Sequence, residues 1–337
     1  MNIDVTASAS TTGVRIAGTG SFVPENVLSN ADLEGMMDTN DEWIQKRTGI
    51  KERRLVDPKT QGTYTMSLEA INRALDDAGM EGSELDLVIL ATVTMEMTCP
   101  STACRIAAAI GATPAGAFDL TAACSGFLYG MNMADTLIRS GRHKKIAVIG
   151  CDTMSSIIDY TDRGTSILFG DAAGAAVLVA DEDPKRGSIY QKIQADGRDW
   201  KSLYLPKREQ EVQPDDGSTN KLGFIRMQGR DVYKFAVNKF QWAITDALEH
   251  TGLKADDISA YICHQSNRRI IDSAVEKLSL PSDRVFINIE HYGNSSAGSV
   301  GLCLDEMRRQ GRVPEGEPMI LVAFGGGLTW ASSVWIP

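Results

Sequence analysis

The chain lacks several features that would place it in special classes of protein. No apolar run approaches the ~20 residues of a membrane span. The opening stretch, Met1 to Thr12, is small and polar, with no basic segment leading into an apolar one, so no secretory signal is expected. Positive charge is in deficit, with 34 Lys and Arg against 44 Asp and Glu and a net charge of −10. That balance excludes a general nucleic-acid binder, which needs a basic face. It leaves room for an anionic partner on a local basic patch.

Six cysteines stand at 99, 104, 124, 151, 263 and 303, and none forms a C-x-x-C pair. Several lie in apolar segments, the pattern of free thiols in a reducing cytoplasm. Of the four histidines only His264 adjoins a cysteine, Cys263, and no second pair stands at zinc spacing. Neither a metal nor an organic cofactor is expected.

The 337 residues are 43% hydrophobic and 23% charged, ordinary for a globular chain of about two domains. The chain also repeats itself. Ala70-Ile-Asn-Arg-Ala-Leu-Asp-Asp-Ala-Gly79 and Ala243-Ile-Thr-Asp-Ala-Leu-Glu-His-Thr-Gly252 both read as amphipathic helices stopped by a left-handed glycine cap. Each leads to a buried strand, 86–91 and 257–262. Later helices, 125–140 and 296–310, end at Gly141 and Gly311 and feed the apolar strands 146–149 and 320–323. Offsets of 170 to 173 residues recur throughout. The reading is an α/β protein of two homologous halves, 1–183 and 184–337, with helices covering sheet faces. Ligands in such folds bind beyond the carboxyl ends of strands.

Cys124 follows a short apolar strand and opens a helix, in Ala122-Ala-Cys-Ser-Gly126. The helix N-terminus should favour the nucleophilic thiolate. An offset of 170 pairs Cys124 with Asn294, and an offset of 171 pairs Val93 with His264. Cys124, His264 and Asn294 are therefore expected on one rim. Gly325-Gly326-Gly327 follows the last apolar strand, where backbone N–H groups can join that of Cys124 in an oxyanion hole. The small-residue run Gly170–Ala176 lacks the Lys-Ser/Thr of a phosphate loop and reads as close packing. The segment Lys201–Asn220 reads as a surface loop. A thiol, an imidazole, an amide and an oxyanion hole suit acyl transfer through a thioester, either in a papain-like hydrolase or in a condensing enzyme. The residues around Cys124 lack the papain-like pattern.

The assembled motifs resemble the thiolase superfamily, and within it the β-ketoacyl-acyl carrier protein synthase III family, the initiating condensing enzymes of bacterial fatty acid synthesis. The resemblance runs through Asp41-Glu-Trp-Ile44, Arg47-Thr-Gly-Ile50, Ala122–Gly126, Asp162-Arg-Gly-Thr165, Phe169-Gly-Asp171, His264-Gln-Ser-Asn267, Gly293-Asn-Ser-Ser296 and Ala323–Gly327. It implies a five-layered αβαβα architecture and a cytoplasmic homodimer. Cys124 would take the acyl group from acyl-CoA. His264 and Asn294 would stabilise the enolate formed when malonyl-acyl carrier protein loses CO2. The Cys124 and Gly326 N–H groups would form the oxyanion hole. Thr39, Trp43, Arg47, Arg163 and Asn267 would hold CoA, with the adenine between Trp43 and Arg163. Lys234, Arg268 and Arg269 would dock the acidic carrier protein, and Phe169 would border the acyl pocket. Two positions depart from the family's pattern. Cys263 stands where proline is frequent, and Cys99 where a bulky aromatic is frequent, on a loop that floors the partner subunit's pocket. The smaller Cys99 implies a primer longer or more branched than acetyl. A condensing enzyme of secondary metabolism and a catalytically silent acyl-CoA-binding paralogue are the alternatives.

Overall fold

A computed structural model describes residues 12–213 and 222–337. The start of the chain and the end of the expected surface loop lie outside those residues. The first half contributes β1 (Gly13–Phe22), α1 (Thr63–Ala78), β2 (Leu87–Ala91), α2 (Thr102–Ala109), β3 (Gly116–Leu120), α3 (Gly126–Arg139), β4 (Lys145–Asp152) and β5 (Ala172–Asp181). The second half contributes β6 (Gly187–Ala195), α4 (Gly229–Thr251), β7 (Ala260–Cys263), α5 (Arg268–Leu278), α6 (Gly298–Arg309), β8 (Met319–Gly325) and β9 (Thr329–Ile336).

The internal repeat reappears as topology. The first sheet has the order β1-β5-β4-β2-β3 and the second β6-β9-β8-β7. In both, the first two pairings are antiparallel and the third is parallel. A parallel bridge from Tyr261 to Val285 stands where β3 stands in the first sheet. The link between the halves falls between Asp181 and Gly187. Both predicted helix caps are left-handed glycines, Gly79 at φ 62° and Gly252 at φ 70°.

Three apolar clusters separate five layers. The first packs α1 and α2 on one face of the first sheet. The central one packs α3 and α6 between the two sheets. The third packs α4 and α5 on the far face of the second sheet. Strands covered on both faces need continuous apolar sequence, and every residue of β2, Leu-Val-Ile-Leu-Ala, is buried. The centre is tight enough to demand glycine. A Cβ at Gly174 would lie 2.3 Å from the Gly301 carbonyl carbon, so the 170–176 run serves close packing, as expected. Strands β2, β3, β4, β7 and β8 end on one rim, and the segments after them line one cavity of about 950 Å³.

Candidate active site

Cys124 sits in a single 3₁₀ turn, Ala123–Ser125, that runs into α3. The residue before it, Ala123, is held at φ 46°, a left-handed conformation unusual for alanine. This bend carries the thiol off the end of β3 and into the cavity. Gly325 closes on it from the second half: a Cβ there would lie 2.7 Å from the Cys124 nitrogen. One hydroxyl ties the two loops together. Thr329 Oγ1 stands 3.1 Å from the Ala122 carbonyl, 3.1 Å from Ser125 Oγ and 3.1 Å from the Gly326 carbonyl.

The resting state of the thiol corrects the sequence reading. Cys124 is almost fully buried, and burial pushes its thiol up to about 12 despite the helix end. The free protein therefore holds a neutral thiol. His264 follows β7, with 1% of its surface exposed, and packs edge-on against Phe324 at 5.4 Å between ring centroids. Burial pulls its imidazole down to about 3, so it is neutral. Its Nδ1 has no partner among the described residues. An orphaned N–H costs more than an orphaned lone pair, which places the proton on Nε2.

Asn294 is fixed by its backbone. Its N–H donates to Leu168 O and its carbonyl accepts from Gly170, beside a bridge to Phe169. Its Oδ1 accepts from the Ser296 N–H at 2.9 Å, which leaves the amide N–H groups of Nδ2 as the free donors. Ser296 itself is held at φ 50°. Cys124, His264 and Asn294 line the same cavity. The register between the halves differs slightly from the sequence reading. Helix starts at 126 and 298 pair Cys124 with Ser296, because Asn294 sits two residues farther ahead of its helix.

At the mouth, two guanidinium groups approach the Trp43 ring, Arg163 at 4.8 Å and Arg47 at 5.4 Å from its centroid. Arg163 also donates to the Asp38 carbonyl at 2.8 Å. Trp43, Arg47, Asn267, Lys234 and Arg269 all border the cavity. Asn267 also caps α5, accepting from the Arg269 N–H, and donates to the Arg47 carbonyl. Four expected residues lie outside the cavity wall, Arg163 beside the Trp43 ring and three others. Thr39 is half-buried with no partner for its hydroxyl among the described residues. Arg268 pairs with Asp272 at 2.7 Å. Cys99 is exposed, away from this chain's own cavity.

Phe169 belongs to an apolar cluster with Met154 and Ile157, against which Val93, Leu205 and Ile225 pack. Leu205 corrects the reading of 201–220 as simple surface loop. A short ribbon, Leu203–Tyr204 paired with Arg226–Met227, folds back over the cavity and supplies Leu203, Tyr204 and Met227 to its wall. Polar neighbours on both sides mask those apolar residues in the sequence. Arg230 joins the cations at the mouth and was equally inconspicuous.

A buried thiol at a helix start, a neutral histidine and an oriented amide, placed across two fused α/β halves, define a condensing enzyme of the thiolase type. The chain belongs to the β-ketoacyl-acyl carrier protein synthase III family. Residues 118–197 match the 3-oxoacyl-[acyl-carrier-protein] synthase III model and residues 248–336 its C-terminal counterpart. The β-ketoacyl-[acyl-carrier-protein] synthase III of Caldanaerobacter subterraneus subsp. tengcongensis is 47% identical, over 95% of this chain and 96% of that protein. The crystal structure of the Aquifex aeolicus 3-oxoacyl-[acyl-carrier-protein] synthase III aligns at a TM-score of 0.89 with 41% identity, over 96% and 100% of the two chains. The priming β-ketosynthase of the R1128 polyketide pathway aligns equally well, at 0.89 with 36% identity over 96% of each chain.

Proposed function

We propose that this acyltransferase condenses an acyl-CoA primer with malonyl-acyl carrier protein, giving a 3-oxoacyl-acyl carrier protein, CoA and CO2, and so starts fatty acid synthesis. The observation that carries the assignment of roles is the convergence of Cys124, His264 and Asn294 on one cavity. In the first half-reaction Cys124 Sγ loses its proton and attacks the primer thioester, and CoA leaves as the thiol, so that on balance the proton passes from Cys124 to the CoA sulfur. The oxyanion is met by the Cys124 and Gly326 N–H groups, held in place by the Thr329 clamp. In the second, the malonyl thioester carbonyl accepts from His264 Nε2–H and Asn294 Nδ2–H. Loss of CO2 then leaves a stabilised enolate, which attacks acyl-Cys124 and expels Cys124 as a thiolate that takes a proton from solvent to restore the thiol. Both groups work as neutral donors, so burial of His264 serves the chemistry. Decarboxylation supplies the carbanion, and neither a metal nor an organic cofactor takes part.

Trp43, Arg47, Arg163, Asn267 and Thr39 bind CoA in this reading. Arg163 already covers Trp43, so an adenine entering that stack shifts the guanidinium to its own outer face. Lys234, Arg268 and Arg269 receive the acidic carrier protein. We place the enzyme in the cytoplasm as a homodimer, in keeping with its unpaired cysteines. Among the described residues no helix is long and apolar enough to cross a membrane. The likeness to a polyketide priming synthase favours a second reading, in which the product enters a secondary metabolite. Turnover with the carrier proteins of the two pathways, across a primer series, separates them. Preference for the fatty-acid carrier supports the first reading, and preference for a polyketide carrier supports the second.

A further inference from the structure

The two donors assigned to the enolate come from separate loops, and one buried side chain joins those loops. His264 directly follows β7, and its N–H donates to the Val322 carbonyl at 2.8 Å. Asn294 follows the short helical turn Ile289–Tyr292. Successive side chains of an extended segment point to opposite sides. His264 and Ser266 accordingly line the cavity, and Gln265 between them does not. Gln265 turns into the protein, with 1% of its surface exposed.

Every hydrogen-bonding position of the Gln265 amide is used. Its Nε2 donates to the Cys263 carbonyl at 2.9 Å and to the Phe286 carbonyl at 3.1 Å. Its Oε1 accepts from the Asn288 N–H at 3.2 Å and the Ile289 N–H at 3.3 Å. A side-chain amide has two protons to give and two lone pairs to offer, so no capacity is left over. The Gln265 backbone N–H donates to Ser299 Oγ of α6 at 2.8 Å. These bonds extend the second sheet. Backbone pairing between β7 and the following segment consists of the Tyr261–Val285 bridge and the Phe286 N–H bond to the Tyr261 carbonyl. Past that point the Gln265 amide takes the place of a peptide group and partners buried backbone that would otherwise be orphaned. The turn ahead of Asn294 has a second anchor. Glu306 accepts from Asn288 Nδ2 and from the Tyr292 hydroxyl, both at 2.8 Å.

We propose that Gln265 is a positioning residue for the second half-reaction: its amide fixes the spacing of His264 and Asn294, so that both N–H groups reach one oxygen. The inference rests on the reading of those two residues as the enolate's donors. Preorganised donors lower the barrier only when each already stands at hydrogen-bond distance from the developing charge. Gln265 is bonded beside one donor and at the root of the turn that delivers the other. None of its hydrogen-bond partners belongs to the loop carrying Cys124 or to the Gly325–Gly327 turn. Acylation of Cys124 therefore does not depend on it.

The test separates the two half-reactions. Gln265→Asn keeps the amide and draws it back by about one bond length, ~1.5 Å. Gln265→Glu keeps the length, and its carboxylate has no proton for the Cys263 and Phe286 carbonyls. Acylation is followed by rapid-quench intact mass after mixing with acyl-CoA, and condensation by CO2 release from enzyme already acylated. Both variants should acylate within about twofold of wild type. Both should condense at least about 10-fold more slowly, toward the ~100-fold that a 1 Å misplacement can cost. The loss should fall on the maximal rate, with the half-saturating concentration of malonyl-acyl carrier protein changed by less than about threefold. In an Asn294→Ala background no pair is left to space. Adding Gln265→Asn there should slow condensation by less than about threefold more. Wild-type condensation in both variants would overturn the inference. So would equal loss of both half-reactions, which marks a residue that the fold alone needs. So would the full cost of Gln265→Asn reappearing in the Asn294→Ala background. An Asn294→Ala enzyme that condenses at the wild-type rate would overturn the donor reading itself, and this inference with it.

Discussion

Gly325 and Cys124, from opposite halves of the chain, meet so closely that a Cβ on Gly325 would lie 2.7 Å from the Cys124 nitrogen and 3.1 Å from its Cβ. The nucleophile's position is therefore set by the end of β8 as much as by its own helix. Gly325→Ala forces these backbones apart. Overpacking at such a contact costs roughly 1–3 kcal/mol, and moving an oxyanion donor costs about 100-fold or more in rate. A thermal melt with a steady-state assay should show a folded but nearly inactive variant. Wild-type activity would show that the contact does not set the geometry.

The fixed orientation of Asn294 makes a sharper prediction. With Oδ1 held by the Ser296 N–H, only Nδ2 is left to serve the enolate. Asn294→Ala should acylate within about twofold of wild type while decarboxylation and condensation fall by about 100-fold or more. Asn294→Asp has no N–H to donate and should behave the same way. Equal damage to both half-reactions would contradict the assigned role.

The neutrality of His264 has a measurable consequence for acid stability. Its imidazole is held near 3 in the folded state against 6.5 in the ordinary state. The unfolded chain thus takes up a proton that the folded one refuses. Stability from this group is complete above pH 6.5 and is lost as pH falls from there toward about 3. The loss runs at up to ~1.4 kcal/mol per pH unit. Urea midpoints for wild type and His264→Gln should converge as the pH is lowered through that window. Parallel curves would mean that His264 is protonated in the native state.

Cys99 bears on primer choice. It is exposed in this chain, and a role in the acyl pocket requires the partner subunit of the proposed homodimer. The wild-type enzyme should accept C4–C8 or branched primers, and Cys99→Phe should narrow it toward acetyl-CoA. The ratio of kcat/KM values across a primer series reports this directly. A wild type that prefers acetyl-CoA throughout would rule the idea out.

Much of this molecule was legible before any coordinates. Glycine-capped helices and apolar strands at a steady spacing foretold two like halves, because strands buried on both faces and helices with one apolar stripe leave strong periodic signals. The rim residues Cys124, His264 and Asn294 followed from that repeat. Other parts left no such signal. The ribbon around Leu203 and Met227 carries only short apolar runs, Leu203–Leu205 and Phe224-Ile225, and only its fold-back makes it a wall. The neutral state of Cys124 depends on burial by Gly325 and its neighbours, over two hundred residues away, which the helix start alone does not reveal. Asp152 looks unremarkable in sequence, and its place shows only where it accepts from the Ala297 N–H across the two halves.

The central claim is that Cys124 carries the primer. Intact mass spectrometry after mixing the enzyme with acyl-CoA, followed by peptide mapping, tests it most directly. One acyl group per chain should appear on the peptide containing Cys124, should be absent from Cys124→Ala, and should vanish when malonyl-acyl carrier protein is added. An unmodified chain, or an acyl group on another residue, would contradict it.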